Sequence, residues 1–150
     1  MTADSLPPPD REEWASLYAA FAILRKESER ALSAWRVTVP QVSVLALLAE
    51  AGHPLPVTRL ARLLLQEGPS VTTLVDRMCK RGLVERVKEH RDRRVVLVEL
   101  TDKGRQVHDD VRASAAAVSN DLFGVLSGED RATLKDLLQT FFKRNIQRIR

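Results

Sequence analysis

The apolar residues of this chain keep a helical spacing of three and four as far as Gly82. They lose it between Leu83 and Leu100 and regain it after Thr101. Leu83–Glu89 and Val95–Leu100 are β-rich runs, the second rich in valine, and charged residues separate them. They predict a hairpin with His90, Arg91, Asp92, Arg93 and Arg94 at or near its tip. With helical spacing on either side of it, the chain is expected to be mainly α with a small β-hairpin.

Pro7, Pro8 and Pro9 predict an extended arm, and Asp10 can cap the helix that follows. Trp14, Leu17, Tyr18, Phe21, Leu24, Ser28, Ala31, Leu32 and Trp35 form one face of a first helix, Arg11 to Trp35. A rod of about 37 Å is long for a protein of this size, so it is expected to pack on more than its own core. Thr38 caps a second helix with Pro40 in its first turn and Val44, Leu45, Leu47 and Leu48 as its buried stripe. Ala51 to Pro54 stops it, and Leu55-Pro56-Val57 reads as an edge strand. A short third helix, Thr58 to Leu65, rests on Leu60, Ala61 and Leu64. Gln66 to Pro69 reads as a turn, and Ser70 as the cap of a fourth helix that buries Val71, Leu74, Val75 and Met78. Gly82 ends this helix in the left-handed conformation. Thr101 caps a fifth helix, with Val107, Val111, Ala115, Val118 and Leu122 inward and Gly104 in its first turn. Ser127 and Asp130 resemble a capping box before a sixth helix carrying Leu134, Leu137, Leu138, Phe141, Phe142 and Ile146.

Charge is concentrated in the middle of the chain. Met1 to Pro56 carries 5 Lys/Arg against 7 Asp/Glu, Val57 to Leu100 carries 10 against 6, and Thr101 to Arg150 carries 9 against 7. A polyanion is one natural partner for the central segment, and a solvated charged face is the other reading. The basic tail, Lys143, Arg144, Arg148 and Arg150, reads as a solvated end. The first ten residues lack the basic and apolar regions of a signal peptide, and no run approaches the length of a spanning helix. A cytoplasmic protein without membrane contact is expected. Cys79 is the only cysteine, and no metal-ligand spacing accompanies it. His53, His90 and His108 sit in three separate settings, and no HExxH, GxSxG or phosphate-binding glycine loop occurs. Neither an enzyme nor a cofactor is expected.

The order helix, tight turn, amphipathic helix, hairpin is that of a winged helix-turn-helix. Opposite its buried stripe the fourth helix carries Ser70, Thr73, Arg77, Lys80 and Arg81, with Thr72 and Asp76 beside them. Small hydroxyls let a helix backbone approach a groove closely, and arginine can fork onto guanine. Arginines at a loop tip suit the focused negative potential of a narrow minor groove. Asp92 fits there as the partner that holds Arg94 in place. An ordinary solvated helix and a free loop are the plain alternatives. A winged-helix module that docks on proteins is a third, but such a surface prefers a central apolar patch, which this tip does not offer.

Leu60-Ala61, the run Val71 to Met78 (VTTLVDRM), Lys80 to Val84 (KRGLV), Asp92-Arg93-Arg94 and Leu100 to Gly104 (LTDKG) together resemble the MarR family of bacterial transcriptional regulators. The likeness runs without gaps from about Val57 to Gly104, and helices of suitable length flank it. It implies a single domain over 1–150, in which a winged helix-turn-helix lobe (38–100) lies between dimerisation helices (11–36 and 101–147). It also implies an obligate homodimer on a palindromic operator in double-stranded DNA. By position, Ser70, Thr72, Thr73 and Arg77 would face the major groove, and Arg94, held by Asp92, the minor groove. Lys80, Arg81, Arg91 and Arg93 would complete the contact. Thr73 stands where the family often has arginine, and Leu65 with Gly68-Pro69 occupies a turn where many members carry an earlier glycine.

The resemblance further implies release of a repressor by a small anionic or aromatic effector, for which Trp35, Gln41 and His108 are the candidate contacts. Oxidant-sensing members carry a cysteine in the first helix, which is absent here. A redox switch would have to work through Cys79, aided by Lys80 or Arg81.

Overall fold

The computed structural model describes residues 11–88 and 96–149. The arm at Pro7–Pro9, the Asp10 cap and the hairpin tip lie outside them. Helix α1 runs Arg11–Leu32 and tightens into a 3-10 turn, Ser33–Trp35. Arg36 follows with φ of 54°, a left-handed corner at a residue that is not glycine. Helix α2, Val39–Ala51, starts at Thr38, whose backbone N–H donates to Gln41 Oε1 at 3.1 Å. It stops at Gly52, φ 67°, whose N–H returns to the Leu48 carbonyl.

Strand β1 is only Leu55–Pro56. Helix α3 spans Val57–Leu64, and Leu65 closes it in the left-handed region. Helix α4 spans Gly68–Lys80. It therefore begins before Ser70, and the expected Ser70 cap is corrected. Glu67 is the extended N-cap and Gly68-Pro69 opens the first turn. Proline has its φ preset for that turn, and its missing N–H needs no partner there. The same logic applies to Pro40 in α2.

Gly82, φ 66°, ends α4 as expected. Its N–H donates to the Cys79 carbonyl, and Leu83 N–H donates to that of Met78. Met78 and Leu83 are both fully buried. This paired closure with its apolar contact is a Schellman motif. Strands β2, Val84–Lys88, and β3, Val96–Leu100, pair antiparallel from Val84 opposite Leu100 to Lys88 opposite Val96. The sheet order is β1-β3-β2, so Pro56 lies on an edge, where its missing donor is tolerated.

One core joins these elements. Val44 and Leu45 of α2, Leu60 of α3, Val71, Val75 and Met78 of α4, and Leu55, Leu83 and Val98 around the sheet are all essentially solvent-free. Leu32, Val37 and Val111 extend it toward α1 and α5 (Asp102–Phe123). The Thr101 hydroxyl accepts from Gly104 N–H and donates to the Gly82 carbonyl, so one side chain caps α5 and satisfies the turn after α4. Helix α6, Gly128–Ile149, starts at Ser127, whose hydroxyl accepts from Asp130 N–H at 3.1 Å and donates to the Asp130 carboxylate.

The outer helices differ from a closed core. Trp14 is 53% exposed, Phe21 59%, Phe141 61% and Phe142 54%. Leu17, Tyr18, Leu137 and Leu138 are equally open. On α5, Val111 is buried and Val107 and Leu122 half-buried, but Ala115 is exposed. These apolar faces are not satisfied within one chain.

Gly104 is buried, and a Cβ added there would collide with the Leu83 carbonyl oxygen. Gly104→Ala is therefore expected to destabilise the fold by about 3 kcal/mol, the upper end of overpacking costs, read by urea denaturation. An unchanged midpoint would contradict this packing.

Candidate nucleic-acid interface

Helix α4 is about 20 Å long and two-faced. Val71, Val75 and Met78 fill the core, while Ser70, Thr72, Thr73, Asp76, Arg77 and Lys80 are exposed. Thr72 Oγ1 donates to the Gly68 carbonyl at 3.0 Å, and Thr73 Oγ1 to that of Pro69 at 3.1 Å. With their protons turned back on the helix, both hydroxyls meet a ligand as acceptors, and their methyls add a small apolar surface. Arg77 and Lys80 extend the same face and enter no ion pair among the described residues. A row of acceptors and methyls followed by cations matches a groove edge bordered by phosphates.

Asp76 would oppose a polyanion, but Arg86 Nη2 lies 2.8 Å from its Oδ1. The pair cancels the negative charge and ties α4 to strand β2. Periodicity could not reveal it, because the partners sit on different elements. Arg91, Asp92, Arg93 and Arg94 fall outside the described residues. Lys88 opposite Val96 is the last strand pair before them.

Arg81 is separated from the set predicted on the groove face. Its guanidinium turns inward, donating from Nη1 to the Arg36 carbonyl at 2.6 Å and to Gln41 Oε1 at 3.2 Å. Its Nη2 donates to the Trp35 carbonyl at 3.2 Å. The Arg81 carbonyl in turn accepts from Lys103 Nζ at 2.8 Å. Arg81 thus fastens the end of α4 to the α1–α2 corner, and Lys103 neutralises the negative helix end.

The predicted effector contacts do not converge. Gln41, 7% exposed, spends its Oε1 on Thr38 and Arg81. Trp35 is half-buried in the 3-10 turn, and His108 Nδ1 lies 2.9 Å from its neighbour Asp109. An apolar groove of about 310 Å³ instead lies between α1, α2 and α5. Leu24, Leu32, Val39, Val42, Val111 and Phe123 form its walls, with Ser28, Ser43, Ser114 and Ser119 as polar points. None of the three predicted residues lines it. Helical periodicity marks core faces, and this groove forms where three such faces diverge.

Cys79 is half-buried beside the core. Burial pushes its thiol above the ordinary range; Arg86 opposes this, while Asp76 and Glu85 add to it. A higher pKa leaves less thiolate at neutral pH, which is the reverse of what a redox switch needs. Neither Lys80 nor Arg81 is among the charges that act on it. At pH 7.5 iodoacetamide is expected to label Cys79 more slowly than a cysteine in a short peptide, with the rate still climbing at alkaline pH. Fast labelling with a plateau near neutrality would contradict the assignment.

A MarR family profile matches residues 37–95, which cover the core from Val37 through β2. The transcriptional regulator YsmB of Bacillus subtilis, described as an uncharacterized helix-turn-helix type, is 31% identical over 123 residues, covering 82% of this chain and 84% of that one. Among solved structures, a cysteine-to-serine mutant of MarR from E. coli, complexed with operator DNA, superposes with a TM-score of 0.81 at 22% identity, covering 90% of this chain and 99% of that one. CouR from Rhodococcus jostii RHA1, bound to p-coumaroyl-CoA, gives a TM-score of 0.73 at 26% identity over 83% and 87% of the two chains. Two-faced α4, the wing strands behind it and these likenesses agree: the chain belongs to the MarR family of DNA-binding transcriptional regulators and is not an enzyme.

Proposed function

We propose that this regulator acts as a homodimer on a palindromic operator, as a repressor released by a small effector, in the cytoplasm. The exposed α4 face carries the DNA-binding part of this reading. Ser70, Thr72, Thr73 and Arg77 meet the base edges of a major groove, and Lys80 meets phosphate. Arg91, Arg93 and Arg94 of the wing enter the adjacent minor groove, with Asp92 orienting Arg94.

The dimer rests on a different observation. Trp14, Phe21, Phe141 and Phe142 are each more than half exposed on outer helices. An apolar surface of that size on a lone chain marks an interface. Two copies that join through α1, α5 and α6 cover it, and a two-fold axis then sets the α4 helices about 34 Å apart, one turn of DNA. The α1–α2–α5 groove serves as the effector site. Its volume is at the lower end of the range for small-molecule sites, and CouR, of similar fold, holds a ligand. Occupancy favours a dimer whose α4 helices no longer match successive grooves.

Selection of duplexes from a random pool, repeated across a salt series, tests this. The expected consensus is symmetric, with half-sites about ten base pairs apart, and affinity falls steeply with salt. Arg94→Ala should cost about tenfold in affinity, within the range for a groove arginine, at an unchanged melting temperature. An asymmetric consensus, or full affinity in the variant, would overturn the dimer or the wing respectively.

A further inference from the structure

We infer that Arg81 is the positioning residue through which the α1–α2–α5 groove acts on α4, an inference that rests on the groove being the effector site. Arg81 stands at the C-terminal cap of α4. Its guanidinium holds acceptors at Trp35, Arg36 and Gln41, all within the short corner between the 3-10 turn and the first turn of α2. That corner is bracketed by the groove. Leu32 precedes it and Val39 and Val42 flank Gln41, and all three line the cavity. A molecule that moves either wall moves the carbonyls that Arg81 holds.

The link is suited to yielding. All three acceptors are neutral, so no carboxylate anchors the guanidinium among the described residues. Arg36, Lys80, Arg81 and Lys103 line one hollow at this corner, and their mutual repulsion opposes the clamp. Arg36 also sits at positive φ, a conformation that residues other than glycine adopt at a cost. Val37 and Leu32, both buried, keep the corner seated in the core. Groove occupancy that displaces the corner then favours an arrangement in which this clamp is released. Because Arg81 sits at one end of α4, a small shift there becomes a tilt of the helix that carries Ser70, Thr73 and Arg77.

A double-mutant cycle tests this without an identified effector. Ser114 lines the groove from α5, and Ser114→Phe fills it in place of a ligand. Affinity for a duplex from the random-pool selection is read by fluorescence anisotropy, with and without Arg81→Ala. Ser114→Phe is expected to weaken binding tenfold or more when Arg81 is intact and less than twofold in the Arg81→Ala background. Equal factors in both backgrounds would overturn the role of Arg81 and leave the groove as the effector site. No loss on Ser114→Phe alone would overturn the groove reading itself, and the inference with it. Should Arg81→Ala fail to fold by circular dichroism, Arg81→Lys replaces it. Lysine keeps the charge but cannot span the three acceptors, so the Ser114→Phe factor is expected to fall at least by half. An undiminished factor would again overturn the role.

Discussion

Three consecutive carbonyls after α4, those of Arg81, Gly82 and Leu83, take hydrogen bonds from the first residues of α5. Lys103 Nζ serves Arg81, the Thr101 hydroxyl serves Gly82, and Thr101 N–H serves Leu83. Carbonyls at a helix end have no partner inside the helix and must find one elsewhere. Here they find it on the helix that leads into the outer part of the molecule. Gly104 lets the two backbones approach closely enough for this to happen. Helix α4 is thereby placed with respect to α5 through three main-chain acceptors, met by two side-chain donors and one backbone N–H, and through the close backbone approach at Gly104.

This junction explains which parts of the fold can be read in the sequence. Gly82, Thr101 and Ser127 are legible because their partners lie within a few residues. The edge position of Pro56 is legible for the same reason, since proline lacks a donor wherever it sits. Ser70 resembles a cap by residue type, but Pro69, one residue earlier, is the stronger start signal. Gly104 reads from sequence only as a glycine in the first turn of α5. Its actual constraint is the Leu83 carbonyl, about twenty positions back in the chain.

The candidate site divides along the same line. Ser70, Thr72, Thr73, Arg77 and Lys80 follow from helical periodicity and are all exposed. Arg81 shares their spacing, but a long side chain at a helix end is free to reach inward, and its acceptors lie at Trp35, Arg36 and Gln41. Trp35 and Gln41, expected as effector contacts, supply acceptors to that clamp. The groove proposed as the effector site is made by Leu24, Val42 and Val111 from three different helices. No local pattern could have brought those together.

In the proposed dimer, two copies joined through their outer apolar helices hold their α4 helices one DNA turn apart. A nitroxide at position 73, introduced as Thr73→Cys in a Cys79→Ser background, reports that separation by double electron–electron resonance. A single distance distribution centred at about 34 Å is expected, within a few ångströms allowed for the label. The absence of any dipolar coupling at micromolar concentration, or a separation far from one helical turn, would contradict this arrangement.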